Sequence, residues 1–116
     1  MSTEVQLEVI ETDGPLAVLR AVGELDLLTA PELYQLGAAT VDDHPRLILE
    51  MSGVGFCDSS GFNALLRLRR RAMDAGGRLV LAAAPEQVQR LLALTGAEGA
   101  IPVRPTLAEA REAVAA

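Results

Sequence analysis

Residues 47–61 read LILEMSGVGFCDSSG, and this stretch decides the fold. Residues 47–51 are apolar except for one glutamate, which indicates a strand buried on both faces. Beyond this stretch, apolar residues recur at roughly helical spacing and predict an amphipathic helix. The tetrapeptide Asp58-Ser59-Ser60-Gly61 therefore lies where a strand passes into a helix. It places two hydroxyls at a helix N-terminus, where backbone N–H groups and the helix dipole favour a phosphate.

Length and composition predict one domain with an aliphatic core. The chain has 116 residues, so we expect a single domain over residues 1–116, with its core in about 5–114. Half of the residues are hydrophobic and only 3% are aromatic. The net charge of −6 argues against a nucleic-acid binder, which needs a basic face.

The ten basic residues are all arginine. The lack of lysine excludes a Walker A site and any lysine nucleophile or base. Four of the arginines fall on one predicted helix, and we interpret them as a solvated face near its C-terminal half, where cations suit the helix dipole. These four are Arg67, Arg69, Arg70 and Arg71.

Cys57 and His44 are the only residues of their types. A lone cysteine allows no intrachain disulfide. Cys57 is either a redox-active thiol near a helix N-terminus or, as we favour, a small buried apolar residue. His44 lies in a predicted turn, and we expect a solvated loop residue rather than a base or ligand. We expect no metal site and no cofactor.

The sequence shows no signal peptide and no apolar run near the ~20 residues that span a bilayer. We therefore expect a cytoplasmic protein, or the soluble partner of something larger, without membrane insertion.

The order of elements predicts an α/β fold with pattern β-β-α-β-α-β-α-β-α. Strands alternating with helices favour a mostly parallel sheet, and the opening hairpin makes it mixed. We expect the helices mainly on one face, because the first strand alternates and leaves its other face wet. The predicted strands are 5–10, 16–22, 47–51, 78–83 and 101–103, the last at an edge; the predicted helices are about 29–41, 60–75, 84–95 and 106–114, with a loop at 52–55.

Two capping boxes and one C-terminal pair of glycines predict helix ends. Thr29 with Glu32, and Thr106 with Glu109, have the spacing in which a hydroxyl and a carboxylate cap each other's N–H groups. Gly76-Gly77 is expected to end the second helix. The core face of the third helix is expected to consist of Val88, Leu91, Leu92 and Leu94.

The chain resembles a STAS domain, in particular a stand-alone bacterial anti-sigma factor antagonist. The resemblance rests on Gly23-Glu24-Leu25-Asp26 followed by Thr29-Ala30, on residues 47–61, and on the spacing to Gly76-Gly77 and to residues 91–96. It covers about residues 5–114. Two departures stand out: Glu50 occupies a position where aspartate is common, and Phe62-Asn63 replaces Leu-Gly.

The resemblance implies partner switching. Such a domain binds an anti-sigma factor that is also a serine kinase, and this frees the sigma factor. Phosphorylation of the serine after the motif aspartate loosens the complex, and a serine phosphatase resets it. In this chain the acceptor would be Ser59, with Asp58 and Ser60 beside it and Asp26 at the partner face.

Residue chemistry supports the same site and leaves alternatives open. A turn ending in Gly61 presents an exposed hydroxyl and a backbone that a kinase can grip. Asp58 or Ser59 could equally be a helix N-cap, and one residue could be both cap and acceptor. Glu24 and Asp26 are either partner contacts or ordinary acids before a helix. Leu27 and Leu28 are either exposed contacts or a hydrophobic staple.

Other functions fit less well. No Gly-x-Ser-x-Gly motif surrounds Ser59 or Ser60, and His44 lies in a distant turn, so we expect no enzyme. A nucleotide module without lysine would bind weakly. The closest alternative is an unswitched STAS scaffold or a cytosolic subunit of a transport system.

Overall fold

The computed structural model describes residues 4–115, which form five strands and four helices in the predicted order. The strands are β1 Val5–Asp13, β2 Leu16–Leu25, β3 Arg46–Cys57, β4 Arg78–Ala82 and β5 Val103–Arg104. The helices are α1 Ala30–Asp43, α2 Ser59–Asp74, α3 Glu86–Thr95 and α4 Leu107–Ala115.

The strands form one mixed sheet in the order β1-β2-β3-β4-β5. β1 and β2 are an antiparallel hairpin, and β2 to β5 are parallel to one another. The predicted fold class is therefore confirmed. β5 is short and lies at the edge, as proline at position 102 predicts.

The two faces of the sheet are covered unequally, because alternate residues of each strand point to opposite sides. One face packs against α1, α2 and α3 and carries the main aliphatic core. In the described part of the chain, the other face packs against α4 alone, through a smaller cluster. The helices thus lie mainly on one face, as predicted, with α4 as the exception. The smaller cluster consists of Val18, Ile48, Val80, Ala82, Ala110, Ala113 and Val114.

The predicted loop at 52–55 is wrong, because β3 continues through it to Cys57. Val22 pairs with Gly53, and Glu24 pairs with Phe56, across two irregularities in register. Pairing with β2 therefore holds Gly53 in a strand, although glycine has a low propensity for strands. The longer strand carries the chain directly to Asp58.

Most helix ends match the sequence, with small shifts. α2 ends in a Schellman motif at Gly76, whose φ is +85° and whose N–H donates to the Met73 carbonyl at 3.0 Å. The Thr106 hydroxyl accepts from the Glu109 N–H at 3.2 Å, which confirms the hydroxyl half of that predicted capping box. α1 runs two residues further than predicted, to Asp43.

Leu94 does not belong to the core face of α3, contrary to prediction. It is 76% exposed, whereas Val88 and Leu92 are buried. Leu94 lies two positions beyond Leu92, and two residues on a helix are about 200° apart, so both cannot face the sheet.

Within residues 4–115, no helix combines the length and the apolar character that a bilayer crossing requires.

Candidate functional site

The site is built where two parallel strands end side by side. β2 ends at Leu25, β3 ends at Cys57, and these two residues are paired. Asp26 and Asp58 follow directly, so the two carboxylates emerge at the same edge of the sheet. The Asp58 N–H donates to the Leu25 carbonyl at 3.0 Å and fixes the turn to the neighbouring strand.

Asp58 is the N-cap of α2. Its Oδ1 accepts from the Ser60 N–H at 2.8 Å and from the Gly61 N–H at 3.1 Å. Its backbone is extended, with φ −92° and ψ −170°. Two N–H groups that have no partner within the helix are thereby satisfied by one carboxylate.

Ser59 and Ser60 occupy the first two positions of α2 and differ in exposure. Ser59 is exposed, and within residues 4–115 its hydroxyl forms no hydrogen bond. Ser60 is half-buried and lines a groove between α1 and α2. Of the two hydroxyls, that of Ser59 is therefore the more accessible to another protein.

Gly61 is required because the first turn of α2 crosses the end of β2. A Cβ at this position would lie 2.6 Å from the Leu25 carbonyl oxygen and 2.9 Å from the Cys57 sulfur. Glycine lets the helix start close to the sheet and so sets the position of Ser59.

Asp26 organises the start of α1, and the predicted Thr29–Glu32 capping box is wrong. The Thr29 side chain caps no helical N–H group. Its hydroxyl instead donates to the Glu24 carbonyl at 2.6 Å and accepts from the Asp26 N–H at 3.0 Å. Asp26 Oδ1 accepts from the N–H groups of Leu28, at 2.9 Å, and Thr29, at 3.2 Å. The spacing Asp-x-x-Thr was the signal in the sequence for this turn.

This turn presents two leucines to solvent. Leu27 is 73% exposed and Leu28 is 70% exposed. The alternative left open by the sequence is therefore resolved in favour of exposed apolar residues, since neither side chain is packed against the helix start.

Glu24 lies next to the same edge and is exposed. It pairs with Phe56, and its N–H donates to the Glu4 carbonyl at 3.0 Å. Glu24, Asp26 and Asp58 thus lie at or just beyond the carboxyl ends of β2 and β3, the end of the sheet at which Ser59 begins α2.

Cys57 is buried directly before the turn. Burial, together with the nearby Asp58 carboxylate, raises the pKa of its thiol to about 11. The thiol is therefore protonated at neutral pH, which favours the structural interpretation over a redox role. The Cys57 N–H donates to Gln87 Oε1 at 2.9 Å, which ties α3 to the turn. Gln87 lies 30 residues away, and no local pattern in the sequence pointed to it.

Glu50 is a buried carboxylate on β3, in the strand that leads to the site. It accepts from Arg20 Nε at 2.9 Å and from the Ser52 N–H at 2.7 Å. Burial alone would raise its pKa, but the hydrogen bonds from Ser52 and the Arg20 charge outweigh burial and lower the pKa below 4.5. The Glu50 side chain contacts both partners, so it is held as an ion pair with Arg20 within the sheet.

His44 lies far from the site. It follows α1, and its Nδ1 is 2.6 Å from the Gly14 carbonyl, at the turn that precedes β2. Ser59 lies beyond the opposite end of that strand, so His44 cannot act as its base. Across residues 4–115, no group of three or more His, Cys, Asp or Glu side chains could hold a metal ion.

Comparison with known proteins agrees with this geometry. An anti-sigma factor antagonist from Mycobacterium paratuberculosis superposes with a TM-score of 0.84 at 31% identity, over 97% of this chain and 96% of that one. The phosphorylated form of the Bacillus cell fate determinant SpoIIAA gives 0.72 at 23% identity, over 96% and 99%. The murine anion transporter Slc26a9 gives 0.74 at 19% identity, over 98% of this chain but 22% of that one. The family model of the STAS domain matches residues 6–110, and the chain therefore belongs to the STAS domain family.

Proposed function

We propose that this chain is a cytoplasmic anti-sigma factor antagonist that is switched by phosphorylation of Ser59. In its unmodified form it binds an anti-sigma factor that is also a serine kinase, and the sigma factor is released. The exposed Ser59 hydroxyl at the start of α2, free of hydrogen bonds within residues 4–115, is the observation that carries the proposal. The similarity to the mycobacterial antagonist supports the general role.

A phosphate on Ser59 is compatible with the fold. It adds about −1.5 to −2 charge, and the N-terminus of α2 favours that charge by about 0.3–1 kcal/mol. The helix cap is provided by Asp58, so the modification removes no capping hydrogen bond. SpoIIAA of Bacillus, which shares the fold, is described in a phosphorylated form.

The same phosphate weakens binding through charge. Glu24, Asp26 and Asp58 already make this end of the sheet negative, so a phosphate on Ser59 meets like charges on its own chain and intensifies the negative patch. The partner surface then loses complementarity, through like-charge repulsion and the cost of desolvating a dianion within the contact. Asp26, Asp58, Ser60, Gly61 and Glu24 form the proposed contact around the acceptor. A serine phosphatase restores the binding form.

The test is phosphorylation of the purified protein by anti-sigma factor kinases of the source cell with ATP, followed by mass spectrometry of the modified residue. We expect one phosphate per chain on Ser59, none in Ser59→Ala, and an unchanged position in Ser60→Ala. Ser59→Ala should stay bound to the kinase, whereas Ser59→Asp should bind at least about tenfold more weakly. Equal affinities of the two variants would contradict the proposal.

A second candidate is an unswitched scaffold or a cytosolic subunit of a transport system. The likeness to part of the Slc26a9 transporter favours it, at the level of the fold. Absence of phosphate on Ser59 with every kinase of the source cell, together with stable association with a transporter, would support this candidate instead.

A further inference from the structure

Two arginines on α2, Arg67 and Arg70, have no polar partner within residues 4–115. Within residues 4–115, four arginines form ion pairs and four donate to backbone carbonyls. The ion-paired arginines are Arg20, Arg71, Arg90 and Arg111. The carbonyl-bound arginines are Arg46, Arg69, Arg78 and Arg104. Arg67 and Arg70 remain, both exposed and three residues apart on one face of the helix.

Arg67 is held in place although it has no carboxylate partner. Its guanidinium carbon lies 3.9 Å from the centroid of the Tyr34 ring, on α1. Stacking occupies the face of the guanidinium and leaves its N–H groups at the edge free to donate. Less side-chain freedom is then lost when a carboxylate binds, so Arg67 is preorganised for an anion.

The two arginines lie along a groove between α1 and α2. Its first part is lined by Leu27, Tyr34, Ser60 and Arg67 among others. Its second part shares Tyr34 and Arg67 and continues to Arg70, and its lining holds one acidic residue, Asp74. The groove therefore leads from the Ser59 turn and the exposed Leu27 to the unpaired arginines, over about 16 Å of helix.

The groove does not serve to neutralise a phosphate on Ser59. Eight residues separate Ser59 from Arg67, which corresponds to about 12 Å along the helix axis and exceeds the reach of an arginine side chain. The arginines are therefore available to a different anion, supplied from outside the chain.

We propose that the α1–α2 groove receives an acidic segment of the kinase that acts on Ser59. This inference rests on the proposed function and extends its contact surface. A standard interface covers about 800 Å² on each partner, roughly 30 Å across, so a kinase centred on Ser59 covers Arg67 and Arg70 as well. The chain has 16 acidic and 10 basic residues, and two adjacent cations without a partner are the exception on its surface. The partner surface opposite the groove would then be acidic.

The experiment compares two charge-reversed proteins of equal net charge. The groove variant is Arg67→Glu/Arg70→Glu, and the control is Arg90→Glu/Arg104→Glu, on α3 and β5. Both variants shift the net charge from −6 by the same amount, since each substitution removes one positive charge and adds one negative charge. Affinity for the purified kinase that phosphorylates Ser59 is measured at about 50 mM and about 300 mM salt, because screening weakens charge contacts.

We expect the groove variant to lose at least about tenfold in affinity at low salt, with a smaller loss at high salt, and the control to lose much less. Equal losses in the two variants, or none, overturn the inference and leave the proposed function intact. If no kinase binds the wild-type protein, the proposed function fails and the inference with it.

Two further probes identify other occupants. Inorganic phosphate and phosphatidylglycerol vesicles are titrated into the wild-type protein and the groove variant. Saturable binding of either probe to the wild type alone, with kinase affinity unchanged in the groove variant, would assign the groove to a small anion or a membrane surface and overturn the inference. Thermal unfolding of all variants confirms that the fold is retained.

Discussion

Asp58 and Ser59 are neighbours in the chain, but only the Asp58 side chain caps the helix. Asp58 Oδ1 accepts from the N–H groups of Ser60 and Gly61, at 2.8 and 3.1 Å, and so caps α2. The Ser59 hydroxyl has no hydrogen-bond partner in the described part of the chain and faces solvent. The sequence left open whether one residue is both cap and acceptor. The geometry assigns the cap to Asp58, so a group attached to Ser59 would leave the capping hydrogen bonds at the start of the helix intact.

The first prediction concerns the Asp58 cap. Asp58→Ala should lower the free energy of unfolding by about 1 kcal/mol, because the Ser60 and Gly61 N–H groups lose their acceptor. Asp58→Asn should lower it by less than about 0.5 kcal/mol, since asparagine caps as well as aspartate. Urea denaturation of the three proteins measures both changes. If the asparagine and alanine variants were equally destabilised, charge rather than hydrogen bonding would explain the role of Asp58.

The second prediction compares two glycines of the same segment. Gly61→Ala should destabilise the protein by more than about 2 kcal/mol, because the new methyl group would lie 2.6 Å from the Leu25 carbonyl oxygen. Gly55→Ala meets no atom within 4 Å and should change stability by less than about 0.5 kcal/mol. Chemical denaturation measures both. A tolerated Gly61→Ala would mean that α2 can start further from β2.

The hydrophobic pattern predicted the order of elements and most of their bounds. Runs such as residues 47–51 and 78–82 pair and bury as their composition indicates. The exposure of the Ser59 turn also follows from its place between a buried strand and an amphipathic helix. These features depend on local sequence, and local sequence was sufficient for them.

Of the features that the sequence did not predict, two depend on partners distant in the chain and one is a local competition. Residues 52–55 read as a loop, because nothing local indicates their pairing with β2. The Thr29 hydroxyl could either cap α1 or bond to the turn at Asp26, and in the structure it bonds to the Asp26 N–H and the Glu24 carbonyl. Stacking of Arg67 on Tyr34 requires the packing of α1 on α2.

The third prediction concerns Glu50 and acid stability. Its pKa is lower in the folded protein than the ordinary 4.5, so the unfolded chain binds a proton first as pH falls. The stability it contributes is present above about pH 4.5 and is lost as pH falls through the folded pKa. Glu50→Gln should therefore be less stable than wild type by about 1–2 kcal/mol at pH 7, and the difference should shrink below pH 4.5.

The matched control for Glu50 is Glu86, which pairs with Arg90 on the surface of α3 at 3.3 Å. Glu86→Gln should change stability by less than about 0.5 kcal/mol at any pH, because an exposed pair contributes little. Urea denaturation at pH 7, 5 and about 3.5 measures both variants. A difference for Glu50→Gln that stayed constant with pH would contradict this prediction and show that Glu50 does not stabilise the fold through its charge.

The fourth prediction concerns the leucines that the Asp26 turn presents beside Ser59. The double variant Leu27→Ala/Leu28→Ala should lower affinity for the kinase by at least about tenfold, because both side chains are mostly exposed in the free protein and lie within the proposed contact. Its stability should change little, since neither side chain is packed. Leu94→Ala is the control, because Leu94 is equally exposed but lies on α3. Calorimetric titration measures affinity and thermal unfolding measures stability. An equal loss of affinity in Leu94→Ala would contradict the prediction, because the kinase would then contact α3 as strongly as the turn.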